Sequence, residues 1–138
     1  AGSSCQTAIA LSICWCESQG SAHETITRVP AAAIAANGGY CVNVLSAPQS
    51  FLADVFAGRS DRFARYDFGS ADWQRADGGW RLLDSIASFD CALDRDIAAG
   101  THQVLIGRVL ATHRDAQADA SSLIYARRAY SIARPIFR

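Results

Sequence analysis

A chain of 138 residues, half of them hydrophobic and 19% charged, is no disordered segment and is long enough to bury a core as one domain. Thirteen acidic residues balance thirteen basic ones, which argues against a nucleic-acid-binding protein, since those carry a clear basic excess. The bases are all arginine, a compositional bias more than a functional signal, and methionine is absent, which predicts a processed or partial chain.

In chain order, Ala8-Ile9-Ala10-Leu11-Ser12-Ile13-Cys14-Trp15-Cys16 reads as a buried strand, being short, apolar and followed by polar residues. It has roughly half the ~20 residues that a membrane span needs, and no polybasic anchor accompanies it, so no membrane association is expected. Cys14-x-Cys16 has no second Cys/His pair in register to complete a four-ligand zinc site, so no metal is expected either. The cysteines, Cys5, Cys14, Cys16, Cys41 and Cys91, are odd in number and lack a secretory signal, which favours reduced thiols in a soluble cytoplasmic protein. Residues 17–21 read as a loop around Gly20. An alanine-rich helix follows from about Pro30 or Ala31 to Ala36, with Gly38 as its stop.

Asn37-Gly38-Gly39 is a turn signal, and Tyr40 to Leu45 is a β-prone run. On that strand Tyr40, Val42 and Val44 share one face, and Cys41, Asn43 and Leu45 the other. Asn43 is thus an amide among apolar neighbours. Unpaired it would cost roughly 1–3 kcal/mol, so it is expected to bond either neighbouring backbone or a ligand. Ser46-x-x-Gln49 has capping-box spacing and Pro48 suits a first turn, which predicts a helix over about 47–57. Phe51, Leu52, Val55 and Phe56 form its core face and Gly58 ends it. Residues 59–79 read as a loop whose aromatics, Phe63, Tyr66, Phe68 and Trp73, are expected to pack onto something.

From residue 86 the pattern is mostly β. Segment 88–97 alternates in part, Ala98-Ala99-Gly100 makes a turn, and His102 to Ala111 is the strongest strand, so the pair predicts an antiparallel hairpin. Residues 116–121 form a small polar loop, and Leu123-Ile124-Tyr125 and Tyr130-Ser131-Ile132 are short closing segments. Strands outnumber helices, and a small β-barrel with one or two covering helices fits best.

Candidate functional residues each carry two readings. His102, at the start of the strongest strand, suits a hydrogen-bond donor to an electron-rich ligand or a guide for a proton or hydride step; its plain reading is a strand end in partial solvent. Ser3, Ser4 and Ser21 are hydroxyls that suit a phosphate, although loop serines alone carry little information. Arg127 and Arg128 beside Tyr125 and Tyr130 suit phosphate binding or ring stacking, or else form a solvated turn. His23 with Cys41 or Cys91 has no spacing that supports a nucleophilic pair.

Three blocks together resemble the flavin reductase family with the split-barrel FMN-binding fold, the NAD(P)H:flavin oxidoreductases that serve two-component monooxygenases. Asn37-Gly38-Gly39-Tyr40-Cys41-Val42-Asn43-Val44-Leu45-Ser46 with Phe51 to Gly58 is similar to the family's aromatic-Cys-Val-Asn-Val-Leu strand and following helix. Phe89-Asp90-Cys91 leading to Gly100-Thr101-His102 is similar to its Gly-Asp/Thr-His strand, and Leu123 to Tyr130 to its C-terminal Tyr/Arg/Tyr segment. The likeness runs over about residues 34–132. Residues 1–33 depart from the family pattern and are read as a divergent or truncated part of the same single domain, 1–138; the family's opening helix and first strand would lie upstream of Ala1.

The resemblance implies a mainly β, Greek-key-like split barrel that dimerises with flavin at the subunit interface. It implies NAD(P)H-dependent reduction of flavin, FMN or FAD, with NADH or NADPH as hydride donor and a monooxygenase as recipient of the reduced flavin. His102 would lie near the isoalloxazine and nicotinamide, and Asn43 would help shape the pocket wall. Ser3, Ser4 and Ser21 would meet the flavin's tail, and Arg128 and Tyr130 would close one side. The competing reading is a non-catalytic or degenerate split-barrel module that dimerises and binds flavin or nothing.

Overall fold

A computed structural model describes residues 8–11, 29–100, 102–114, 121–134 and 136. Its centre is an antiparallel sheet of four strands in the order β1-β6-β5-β2, where β1 is Ala8–Leu11, β2 is Gly39–Val44, β5 is Ala87–Ala99 and β6 is His102–His113. Two small hairpins flank it: β3 (Trp73–Arg75) with β4 (Trp80–Leu82), and β7 (Leu123–Ala126) with β8 (Ala129–Ile132). The helices are α1 (Val29–Asn37) and α2 (Ser50–Ala57).

The long β5–β6 hairpin is where the sequence predicted it. Its turn holds Gly100 at φ 61°, a left-handed conformation that glycine adopts at little cost. The partial alternation of 88–97 has a structural cause. Register shifts between Asp90 and Cys91 and between Leu93 and Arg95 break the pleat, so Asp90 and Cys91 are both buried although consecutive. The expected stop of α1 at Gly38 also holds: φ is 69° and its N–H bonds to the Ile34 carbonyl at 2.9 Å.

Between β2 and α2 the capping signal works as its residues require. Ala47–Gln49 is a 3-10 turn with Pro48 inside it, and the Gln49 side chain reaches back to accept from the Ser46 N–H at 3.0 Å. Helix α2 ends where Gly58, at φ 72°, donates to the Asp54 and Val55 carbonyls. Leu52 and Val55 are its buried residues, so only part of the expected apolar face is covered; Phe51 remains 46% exposed.

The segment expected to be a plain loop, 59–79, is more ordered than that. It holds a 3-10 turn at Phe68–Ser70 and strand β3, and three of its four expected aromatics pack onto the Phe56 ring of α2, while Phe63 has the Arg62 guanidinium 5.7 Å from its ring centroid. Ring centroids of Tyr66, Phe68 and Trp73 lie 6.0, 5.4 and 5.6 Å from that of Phe56, within the range of favourable edge and tilted contacts. Of the strand expected over residues 8–16, residues 8–11 form β1, which pairs with Leu105 to Arg108, and residues 12–16 lie outside the described set.

Among the described residues the buried side chains are half apolar and half polar: Leu52, Val55, Leu82 and Cys91 against Ser46, Ser85, Ser88 and Asp90. Buried polar groups are costly unless bonded, so hydrogen bonds govern the packing of this region as much as apolar area does.

Candidate functional site

Two side-chain constellations hold the flanking hairpins. The first is a seam between the sheet and β4. Asn43 on β2 stands opposite Ser88 on β5. Its Oδ1 accepts from the Leu82 N–H at 2.9 Å and the Ser88 hydroxyl at 2.8 Å, while its Nδ2 donates to the Trp80 carbonyl at 3.1 Å. A backbone donor at one end and a backbone acceptor at the other fix which way the amide points. Two residue pairs along, Asp90 is 3% exposed and accepts from the Gly78 N–H at 2.7 Å and the Asp77 N–H at 3.1 Å. Asn43 and Asp90 therefore stand in for a strand, supplying β4 and its turn with partners that a backbone ladder would otherwise provide.

Glycines make the approach possible. A Cβ on Gly39 would sit 2.8 Å from the Cys91 carbonyl oxygen and 2.9 Å from the Gly78 Cα, closer than real Cβ atoms come. One on Gly78 would meet that same carbonyl and lie 2.6 Å from an Asp90 carboxylate oxygen. Asn-Gly-Gly thus does more than turn the chain; its second glycine admits the β3–β4 turn against the sheet. The Cys41 thiol in this seam is pushed up to about 11, first by burial and then by the neighbouring Asp90 and Cys91, with Arg81 opposing. Burial, then Asp90, also raises the Cys91 thiol. Neither is poised as a nucleophile near neutral pH.

The second constellation joins α2 to the β7–β8 hairpin. The Tyr130 hydroxyl donates to Asp54 Oδ1 at 2.7 Å, and Arg59 donates to the same hydroxyl at 2.7 Å and to Asp54 Oδ1 at 3.0 Å. The Arg59 guanidinium lies 5.3 Å from the centroid of the Tyr125 ring and 6.0 Å from that of Tyr130, and the two rings are 5.2 Å apart. Tyr130 and then Arg59 hold the Asp54 carboxyl below its ordinary range by hydrogen bonding, while burial and then the Asp54 bond raise the Tyr130 phenol. Backbone contacts anchor the same hairpin to the end of β2: Leu123 N–H to the Leu45 carbonyl at 2.9 Å and Ala47 N–H to the Ser121 carbonyl at 3.1 Å.

The predicted residues fall out as follows. Asn43 bonds its own chain, the first of its two expected readings. Tyr130 is half-buried within the second constellation. Arg128 is exposed in the β7–β8 turn, where it and Arg127 take positive φ of 62° and 52°, the paired left-handed residues of a tight hairpin. His102 opens β6 opposite Ala99; its side chain lies outside the described residues, as do Ser3, Ser4, Ser21 and His23. The guanidinium stacked on the tyrosines belongs to Arg59, which the sequence reading passed over. Arg59 is 71 positions from Tyr130, so no local spacing could have linked them. Asp90 likewise has partners 13 and 12 positions away, Asp77 and Gly78, so its role has no local sequence signal. Among the described residues no group of three or more His, Cys, Asp or Glu side chains could hold a metal ion, and no helix is long and apolar enough to cross a membrane.

Sheet, side hairpins and two short helices define a mainly β protein of the split-barrel type, with the barrel not closed among the described residues. The chain belongs to the flavin reductase like domain family, whose profile matches residues 28–134. It is similar to the FMN reductase (NADH) RutF of Stutzerimonas stutzeri, 38% identical over 98 residues that cover 70% of this chain and 54% of that protein. Against the FMN reductase (NADH) RutF of Variovorax paradoxus it is 42% identical over 105 residues, 75% of this chain and 56% of the relative. Among solved structures, nitrilotriacetate monooxygenase component B from Mycobacterium thermoresistibile superposes with a TM-score of 0.65 at 28% identity, covering 75% of this chain and 56% of that one. The chain spans a little over half the length of these relatives.

Proposed function

We propose that the protein reduces FMN or FAD at the expense of NADH or NADPH and passes the reduced flavin to a partner monooxygenase. The observation that carries this reading is the family match over residues 28–134, joined to relatives whose names specify FMN reduction by NADH. The residues present suit a flavin on one count that is physical. Tyr125, 54% exposed, holds an arginine against its ring and sits next to the Arg127–Arg128 turn, so a flat anionic ligand would meet ring and cations together.

Bound flavin supplies the chemistry, accepting hydride from the nicotinamide. The chain's own residues bind and orient. Arg128 and Tyr130 close one side, with Arg59 and Asp54 fixing the phenol, and Ser3, Ser4 and Ser21 meet the flavin's tail. Asn43 shapes the wall from behind by pinning β4, since its amide is already bonded within the chain. His102, beside the β5–β6 turn, lends polarity near the reacting rings. No dedicated acid or base is needed, so His102→Ala lowers the rate or the nicotinamide affinity without abolishing turnover; unchanged kinetics would remove His102 from the site. The same reading makes residues 1–138 one domain, and the protein a cytoplasmic homodimer with flavin at the subunit interface.

NADH absorbance followed with FMN and then FAD added to the purified protein is the test. Steady oxidation dependent on added flavin is expected. No bound flavin and no oxidation with either would leave the non-catalytic module as the description of this chain.

A further inference from the structure

A cavity of about 250 Å³ lies at the end of the β5–β6 hairpin remote from its turn, lined among others by Arg81, Asp84, Ser85, Ser88, His113 and Arg114. Strand β6 runs from His102 to His113, so at ~3.3 Å per residue this cavity is about 35 Å along the strand from His102. It adjoins the Asn43 seam, with which it shares Leu82 and Ser88, and none of its lining residues belongs to the Asp54–Arg59–Tyr130 constellation. We propose that it is a binding site for a small oxyanion, the phosphoryl group of a phosphate or phosphate monoester.

Charge comes first. Two arginines and one carboxylate, Asp84, line the cavity, so basic groups outnumber acidic ones. Arg81 bonds the Gln74 side-chain oxygen, a neutral acceptor that orients the guanidinium without cancelling its charge. The His113 ring offers an N–H donor in either protonation state. These donors are the ones that planar, charge-assisted recognition of phosphate uses.

The serine floor adds a built element. Ser85 and Ser88 are 3% and 1% exposed, and their hydroxyl oxygens are 2.8 Å apart. Ser88 donates to Asn43 Oδ1, whereas the single Ser85 proton has two acceptors in reach, Ser88 Oγ and the Leu82 carbonyl at 3.0 Å. Its rotor can therefore turn to a third acceptor without stranding a donor. Hydroxyl lone pairs and Asp84 alone would suit a cation, but two fixed positive charges oppose one. At about 250 Å³, below the ~300–1,000 Å³ that encloses drug-sized ligands, the cavity has room for a phosphoryl group.

The test is an NMR titration of the full chain, without flavin or nicotinamide, using inorganic phosphate, AMP and adenosine, each against sodium chloride of equal ionic strength. Saturable amide shifts centred on Ser85, Ser88, His113 and Arg114 are expected with phosphate or AMP and not with adenosine or chloride. Tighter binding of AMP than of phosphate assigns the site to a nucleotide, and equal binding to free phosphate. Arg114→Gln, a change at an exposed position after the end of β6, is expected to weaken binding about tenfold or more at unchanged Tm and unchanged flavin-dependent NADH oxidation. Shifts that rise linearly and equally with chloride, or affinity unaltered in both Arg114→Gln and Arg81→Gln, would overturn the proposal. Because no flavin is present, this outcome is independent of whether the protein proves to be a flavin reductase.

Discussion

The two flanking hairpins are docked by the same kind of contact in opposite surroundings. At the β3–β4 hairpin, Asn43 and Asp90 bond backbone groups beneath the surface, and Asp90 is 3% exposed. At the β7–β8 hairpin, Asp54, Arg59 and Tyr130 form a tighter-looking triangle, yet the Asp54 and Arg59 side chains are 38% and 41% exposed. Water competes throughout the second set, whereas in the first it reaches the Asn43–Trp80 bond but not the buried Asp90–Gly78 bond. Similar distances therefore stand for different free energies: a buried partner left unpaired costs its desolvation, whereas an exposed ion pair contributes little. The buried seam is thus expected to hold the fold. The exposed triangle is expected to contribute little to stability.

That contrast is broken most severely at Asn43. Asn43→Ala leaves the Leu82 N–H without its acceptor and the Ser88 hydroxyl only Ser85 Oγ to bond, and unfolding in urea is expected to show a loss of about 2–3 kcal/mol. A loss below about 1 kcal/mol would mean that the seam is not structural. Gly78→Ala comes next, at about 1–3 kcal/mol, because the added methyl meets backbone and the Asp90 carboxylate rather than a side chain that can move away. Tyr130→Phe removes both hydroxyl bonds of the exposed triangle and is expected to cost only a few tenths of a kcal/mol, read from the same denaturation curves.

Acid sharpens the comparison without mutation. The Asp54 carboxyl has a folded-state value below its ordinary 3.8, so its contribution is present above that value and is lost as pH falls through the lower folded one. Exposure keeps the contribution small. Protection factors of the Leu123–Ile132 amides, corrected for the intrinsic pH dependence of exchange, are expected to fall below about pH 4 while those of the β5–β6 amides hold; a uniform loss of protection would contradict it. At the seam, a Cys41 thiol near 11 leaves about a thousandth as thiolate at pH 8, so a thiol reagent is expected to label it only after unfolding.

What the sequence made legible follows the same division. Helix α2, the α1 stop at Gly38 and the β5–β6 hairpin rest on local signals: a capping box, left-handed glycines and a long β-prone run. Strands β3 and β4 have three residues each, too few for a period-2 pattern to declare itself, and side chains from β2 and β5 hold them. For that reason β3 is hidden inside the expected loop 59–79, and β4 lies just beyond it in a stretch with no expected element. Asn43 was visible as an amide needing partners, but not which partners, since Trp80 and Leu82 are 37 and 39 positions away. On the candidate site, the Tyr125–Tyr130 pair was legible and its cation was misplaced. Arg127 and Arg128 occupy left-handed turn positions, and the guanidinium on the rings comes from Arg59 beyond the end of α2.

One titration tests the division of labour most directly: FMN affinity, from quenching of flavin fluorescence, measured beside Tm in the double variant Tyr125→Ala/Arg128→Gln. Removing an exposed ring and an exposed turn cation is expected to weaken FMN about tenfold with Tm unchanged, because neither side chain is buried. Full FMN affinity in that variant would contradict a flavin-facing role for the β7–β8 hairpin.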